Sequence, residues 1–189
     1  ISYLVRRSLK VAMLYGFVFG GLMFLLAEPL CMRLYKNAEA GRYLKLYSIL
    51  LPMLYCDAIT DAMTKGLGQQ KACVRYNILT SAMDVFFLYR LLPGYGMEGY
   101  YFSFVVTHVL NFVLSLRRLL TISLVKIPCY VPLLSASAAI AAAWITSHLQ
   151  LSLLRIPSYL CLLTSLLYLL RIIGKEDIQW IAGLIKQKK

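Results

Sequence analysis

Five positions bring ionisable or strongly polar chemistry into otherwise apolar stretches of this chain. Asp57 and Asp61 are four residues apart, so on a helix they share a face, with Lys65 one further turn along. Two carboxylates on one face can bind a cation or a proton, or contact a polar head group. The local alternative is that Asp61 pairs with Lys65 and only Asp57 lies deep. Asp84 stands near the middle of the next apolar stretch, six residues before Arg90. That is too far along a helix for an ideal pair, so its partner is expected from another helix. His108 and Asn111 are three apart and face one way, where they either line a polar site or hydrogen-bond between helices. An ionisable group inside an apolar span costs a few kcal/mol on insertion scales, which makes each of these residues a functional candidate.

Other polar residues read as structural. Glu28 precedes Pro29, whose missing N–H suggests a kink or a loop cap. Arg90 and Glu98 flank a turn and can pair with each other. Asn77, near one end of its apolar stretch, is a weaker candidate. The chain contains no nucleophile elbow, phosphate loop or pair of histidines at metal spacing, so neither an enzyme nor a cofactor is expected. Cys31, Cys56, Cys73, Cys129 and Cys161 show none of the paired spacings of zinc or redox sites and read as small apolar fillers.

The elements that must hold these residues follow from hydropathy. Apolar residues make up 60% of the 189 and charged residues only 15%, with a mean hydropathy of +0.70, well above the globular average. The formal charge of +12 does not point to nucleic acid, because Lys and Arg fall in short clusters at the ends of apolar runs, with no basic groove beside them. That layout is expected of loops joining membrane spans. Six segments are apolar enough to span a bilayer as helices: Val11 to Met32, Leu46 to Thr64, Tyr76 to Leu92, Gly99 to Leu116, Ile127 to Thr146 and Pro157 to Ile173. With the N-terminus inside, fourteen of the 20 Lys and Arg fall on the cytoplasmic side and six outside, which favours both ends of the chain being cytoplasmic.

Between the third and fourth segments, Pro93, Gly94 and Gly96 punctuate a tight reversal, so these helices are expected to form an antiparallel hairpin. After Gly174, Glu176 and Asp177 suit a helix start and Ile178, Ile181 and Ile185 share a face, with Lys186, Lys188 and Lys189 beyond. This tail is expected to lie along the inner membrane surface. The chain starts at Ile1, and Arg6, Arg7 and Lys10 precede an apolar stretch too long and too Gly-interrupted for a signal peptide. The N-terminus is therefore expected to be a cut.

Two stretches are more specific than composition. One runs from Leu51-Pro52 to Thr64-Lys65-Gly66-Leu67-Gly68-Gln69-Gln70-Lys71. The other is Leu92-Pro93-Gly94-Tyr95-Gly96-Met97-Glu98-Gly99-Tyr100, continuing to Leu116-Arg117-Arg118-Leu119. In this order the chain resembles the polysaccharide-transporter branch of the multidrug/oligosaccharidyl-lipid/polysaccharide exporter superfamily, and within it the stage V sporulation protein B-like group. Gly66, Gly68 and Gln69 occupy the family's glycine-bearing loop, and Pro93, Gly96 and Gly99 its turn between two helices. The likeness covers residues 1–120 and is looser beyond.

The resemblance implies an all-α integral membrane protein of about six transmembrane helices, the last six of fourteen in a MATE-like flippase. Residues 1–120 would form four helices of the C-terminal lobe, 121–174 two additional helices, and 175–189 an amphipathic basic cytoplasmic tail. The implied activity is alternating-access flipping of a lipid-linked oligosaccharide or polysaccharide precursor across a bacterial cytoplasmic membrane, for cell-wall, capsule or spore-envelope biogenesis. Implied partners are the bilayer, the lipid-linked saccharide, a coupling cation (sodium or proton) and the N-terminal lobe of the same protein; nucleic acid is not one. Gly66, Gly68, Pro93, Gly96 and Gly99 would be structural turns. Asp57, Asp61, Asp84, His108 and Asn111 are cavity candidates from the chemistry of burial alone, with no family role carried over. Two alternatives remain: a cation-coupled multidrug exporter of the same fold, and a non-transporting membrane scaffold subunit.

Overall fold

The computed structural model of the chain describes residues 1–125, 130–147, 152–170 and 172. Among these the fold is all-helical, with no strand. Five helices follow in order: α1 (Ser2–Tyr35), α2 (Ala38–Gly66), α3 (Gln70–Ser123), α4 (Tyr130–Ser147) and α5 (Ser152–Leu169). The first and second apolar segments lie wholly within α1 and α2, and the described parts of the fifth and sixth fall mainly in α4 and α5. The tail over 175–189 lies outside the described residues.

The third and fourth segments share α3. Its 54 residues are not one rod, because Gly96 has φ 54° and ψ −133°, a conformation open to glycine and closed to residues with a Cβ. Two arms, 70–95 and 97–123, therefore turn back on each other, and the hydrogen bonds between them described below give the antiparallel sense. At Gly99, a Cβ would come within 2.7 Å of the Leu91 carbonyl oxygen, so the arms meet there at a spacing only glycine permits.

The other connections are short. Lys36 and Asn37 alone join α1 to α2. Lys36 takes a left-handed φ of 52°, and Asn37 Oδ1 accepts from the amides of Glu39 (2.8 Å) and Ala40 (3.3 Å), capping α2. Glu28 does not cap a loop. The helix continues past Pro29 to Tyr35, and the Glu28 carboxylate pairs with Lys45 Nζ at 2.9 Å. Lys45 also lies over the Phe24 ring, and this clasp joins α1 to α2.

The α2–α3 turn is a Schellman motif. The Gln69 amide reaches back to the Thr64 carbonyl at 3.1 Å and the Gly68 amide to that of Lys65 at 3.0 Å, with Gly68 left-handed at φ 77°. Gly66 is still helical and has open space around it, so the backbone need for glycine belongs to Gly68.

The chain divides into two compact units. The first comprises residues 1–16 and 49–127. Here Val5 and Leu9 of α1 pack with Leu119 and Val125, joined by Ile59, Met63 and Leu67. Gly16 sits so close to Pro52 that a Cβ would run into the Pro52 backbone. The second unit comprises residues 17–48 and the described residues from 130 onward. In it α4 packs on α5, Ala138, Ala139, Ala142, Leu163 and Leu167 are buried, and Tyr159 donates to the Phe17 carbonyl at 2.9 Å. A Cβ at Gly21 would overlap the Tyr159 hydroxyl.

In both units small hydroxyl residues are buried beside the apolar core while several large apolar side chains stand exposed. Ser103, Ser135, Thr60 and Thr146 are fully buried, whereas Val85, Phe86, Ile140 and Trp144 are about 60–70% exposed. The buried hydroxyls of Thr60, Thr64, Ser135 and Thr146 each donate at 2.7 Å to a carbonyl four residues back in their own helix. They are thereby satisfied without a partner helix.

Candidate functional site

Asp84 lies on the first arm of α3, and its partners come from the second. Ser103 Oγ donates to Asp84 Oδ1 at 2.6 Å, within the range of a charge-assisted O–H···O bond. Thr107 Oγ1 stands 3.4 Å from the same oxygen, but its proton has a nearer acceptor in the Ser103 carbonyl at 2.9 Å. The reversal at Gly96 brings these groups together, folding the second arm back so that Ser103 and Thr107, one helical turn apart, both reach Asp84.

Around this pair opens a cleft of about 180 Å³ lined by Asn77, Thr80, Ser81, Asp84, Thr107, His108 and Asn111. Every lining residue is polar. His108 Nδ1 lies 2.9 Å from the Phe104 carbonyl oxygen. A carbonyl can only accept, so Nδ1 carries the proton, and in the neutral ring Nε2 keeps its lone pair. The imidazole stacks on Phe104 at 3.8 Å between centroids, which fixes its plane.

Asn111 connects the cleft to α2. Its Nδ2 donates to Asp57 Oδ2 at 3.3 Å, so Asp57, His108 and Asn111 do come together. The remaining oxygens, Asp57 Oδ1 and Asn111 Oδ1, are buried with no hydrogen-bond partner among the described residues. Buried oxygens of this kind are costly unless a donor or a cation completes them.

Asp61 has a different role. Lys65 Nζ pairs with Asp61 Oδ2 at 2.6 Å, the local arrangement that the spacing allowed. Hydrogen bonding to Asp61, followed by its charge, holds the Lys65 amino group above its ordinary value of 10.5. Nearby, the thiol of Cys73 is pushed up, first by burial and then by Asp61. On the other side of the α2–α3 turn, Arg118 Nη2 donates to Gln69 Oε1 at 2.6 Å. Gln69 therefore ties the second arm of α3 to the turn and makes no side-chain cap for the helix it precedes.

Thr80, Ser81, Ser103 and Thr107 were not among the candidates. Hydroxyl residues are common in apolar helices, and only the pivot at Gly96 identifies which of them face Asp84. Chemically, the site offers carboxylate, amide, hydroxyl and imidazole groups. The oxygens are hard donors suited to a small cation, and the set as a whole suits sugar hydroxyls. Among the described residues no three His, Cys, Asp or Glu side chains converge as metal ligands. Compared with known proteins, the chain matches no family model, no curated protein and no solved structure.

Proposed function

We propose that this chain is a membrane-spanning part of a flippase that turns a lipid-linked saccharide precursor across a bacterial cytoplasmic membrane. The observation that carries the reading is the cleft between the two arms of α3, lined by residues with polar side chains, set in helices that expose Val85, Phe86, Tyr89 and Leu92. Buried hydroxyls beside exposed large apolar side chains suit a hydrocarbon solvent, in which helices associate through small residues rather than by expelling apolar surface. The helices α1 and α3 are long and apolar enough to cross a membrane. On this reading each arm of α3 is a span of its own, and α2, α4 and α5 complete the six.

The cleft divides its chemistry between two ligands. Ser, Thr and Asn side chains suit the hydroxyls of a saccharide. The carboxylates of Asp57 and Asp84 would repel a lipid diphosphate, so they are better matched to a coupling cation, sodium or proton. A second lobe supplies the opposite wall of the pathway, as in repeat-built transporters. Asp84 in the lining, with Asp57 held behind Asn111, also fits a cationic drug, which keeps a cation-coupled exporter of the same fold as the second reading.

Complementation decides between them. The full-length gene should rescue a strain lacking its lipid-linked-saccharide flippase, and well-expressed protein without rescue overturns the leading reading. Efflux of a cationic dye that depends on a sodium or proton gradient would favour the exporter. Absence of any movement in liposomes, together with stable co-purification of a synthase, would make the chain a scaffold subunit.

A further inference from the structure

One end of the first unit carries most of its charge. Residues 1–10, 59–75 and 115–125 meet there, through the cluster of Val5, Leu9, Leu119 and Val125 with Ile59, Met63 and Leu67. Ser2 Oγ also donates to the Ser123 carbonyl at 2.9 Å, and Arg118 donates to Gln69. Those three segments contain eight Lys and Arg against a single acid, Asp61, whose carboxylate is already held by Lys65. Lys71, Arg75 and Arg117 are exposed. So dense a set of like charges repels itself and draws in a polyvalent anionic partner.

The surroundings identify which kind. Large apolar side chains stand exposed beside the basic ones: Tyr3 and Leu4 near Arg6, Val74 and Ile78 around Arg75, and Leu124 beyond Arg118. A soluble polyanion has no use for that apolar fringe. A phospholipid does, because its phosphate meets the cations while its acyl chains cover the Val, Leu and Ile side chains just inside them. We infer that this end of the first unit is a docking surface for the head groups of anionic phospholipids. The inference rests on the membrane reading above but not on transport.

The test uses the full chain purified in neutral detergent, with retained lipid counted by native mass spectrometry. Phosphatidylglycerol and phosphatidylcholine of the same acyl chains are supplied in equal amounts, with and without inorganic phosphate. Phosphatidylglycerol should be retained about tenfold in preference, a difference of about 1.4 kcal/mol, because only its head group carries a net negative charge. Inorganic phosphate should not displace it. The triple variant K71Q/R75Q/R117Q should lose the preference and R117Q alone part of it, while R33Q/K36Q, at the α1–α2 link, should keep it.

Equal retention of the two lipids, or an undiminished preference in the triple variant, overturns the inference. Displacement by millimolar phosphate would assign the surface to free anions instead. If the chain stays in solution without detergent, the membrane reading itself falls. Loss of lipid preference by detergent-solubilised protein removes only this inference.

Discussion

The hairpin of α3 and the pair formed by α4 and α5 bring helices together by different chemistry. In α3 the arms are joined by a carboxylate on a serine hydroxyl and by a glycine set against a carbonyl, and a polar cleft opens beside them. The pair packs with alanine and leucine buried, and the buried hydroxyls of Ser135 and Thr146 are satisfied within their own helix. If the chain is the flippase proposed above, it needs polar groups at depth only where a ligand passes, and each one is costly in the apolar surroundings. The polar hairpin is therefore expected to carry function at some cost in stability, and the pair to carry stability alone.

The largest expected effect tests that division directly. Asp84→Asn and Asp57→Asn should each lower transport by about tenfold or more, equivalent to at least 1.4 kcal/mol of lost interaction, while changing the thermal midpoint in detergent little. Unchanged transport would return both carboxylates to a structural role. Next, Ala142→Leu in α4 should do the reverse. Its site is fully buried, so overpacking should cost about 1–3 kcal/mol of stability and leave transport per folded molecule intact. If Ala142→Leu abolished transport without unfolding the protein, the pair could not be called purely structural.

A smaller effect sharpens the picture inside the hairpin. Ser103→Ala removes the donor to Asp84 and should cost about 0.6 kcal/mol, the average for a hydrogen bond between membrane helices. Its signature is a change in cation dependence greater than the change in stability. The smallest effect is a pH dependence. The raised value of Lys65 means that its pair with Asp61 stabilises the fold fully below about pH 10.5 and fades as the pH rises through the elevated value. The stability gap between the parent and Lys65→Met should thus be constant through the neutral range and close at strongly alkaline pH. A gap that closed on acidification down to pH 6 would contradict the assignment.

Much of the helical layout was legible in the sequence, because long apolar runs bounded by Pro, Gly and charge leave few options. The reversal at Pro93 to Gly99 could be read as well, since Gly96 adopts a backbone angle that other residues avoid. The partners of Asp84 were hidden. They depend on which residue is the pivot, and a shift of one position at the turn would bring other side chains opposite Asp84. The role of Glu28 was obscured in another way. Proline weakens a helix without ending it when neighbouring contacts hold both sides, and the clasp with Lys45 comes from 17 residues away. Gly66 and Gly68 look equivalent as letters, but only the hydrogen-bond pattern of the Schellman turn shows that one is required there.

The link of Lys36 and Asn37 between α1 and α2 has a practical consequence for anyone labelling this protein. One residue of the link is left-handed and the next caps a helix, so an epitope or fluorophore inserted there would remove the cap that starts α2.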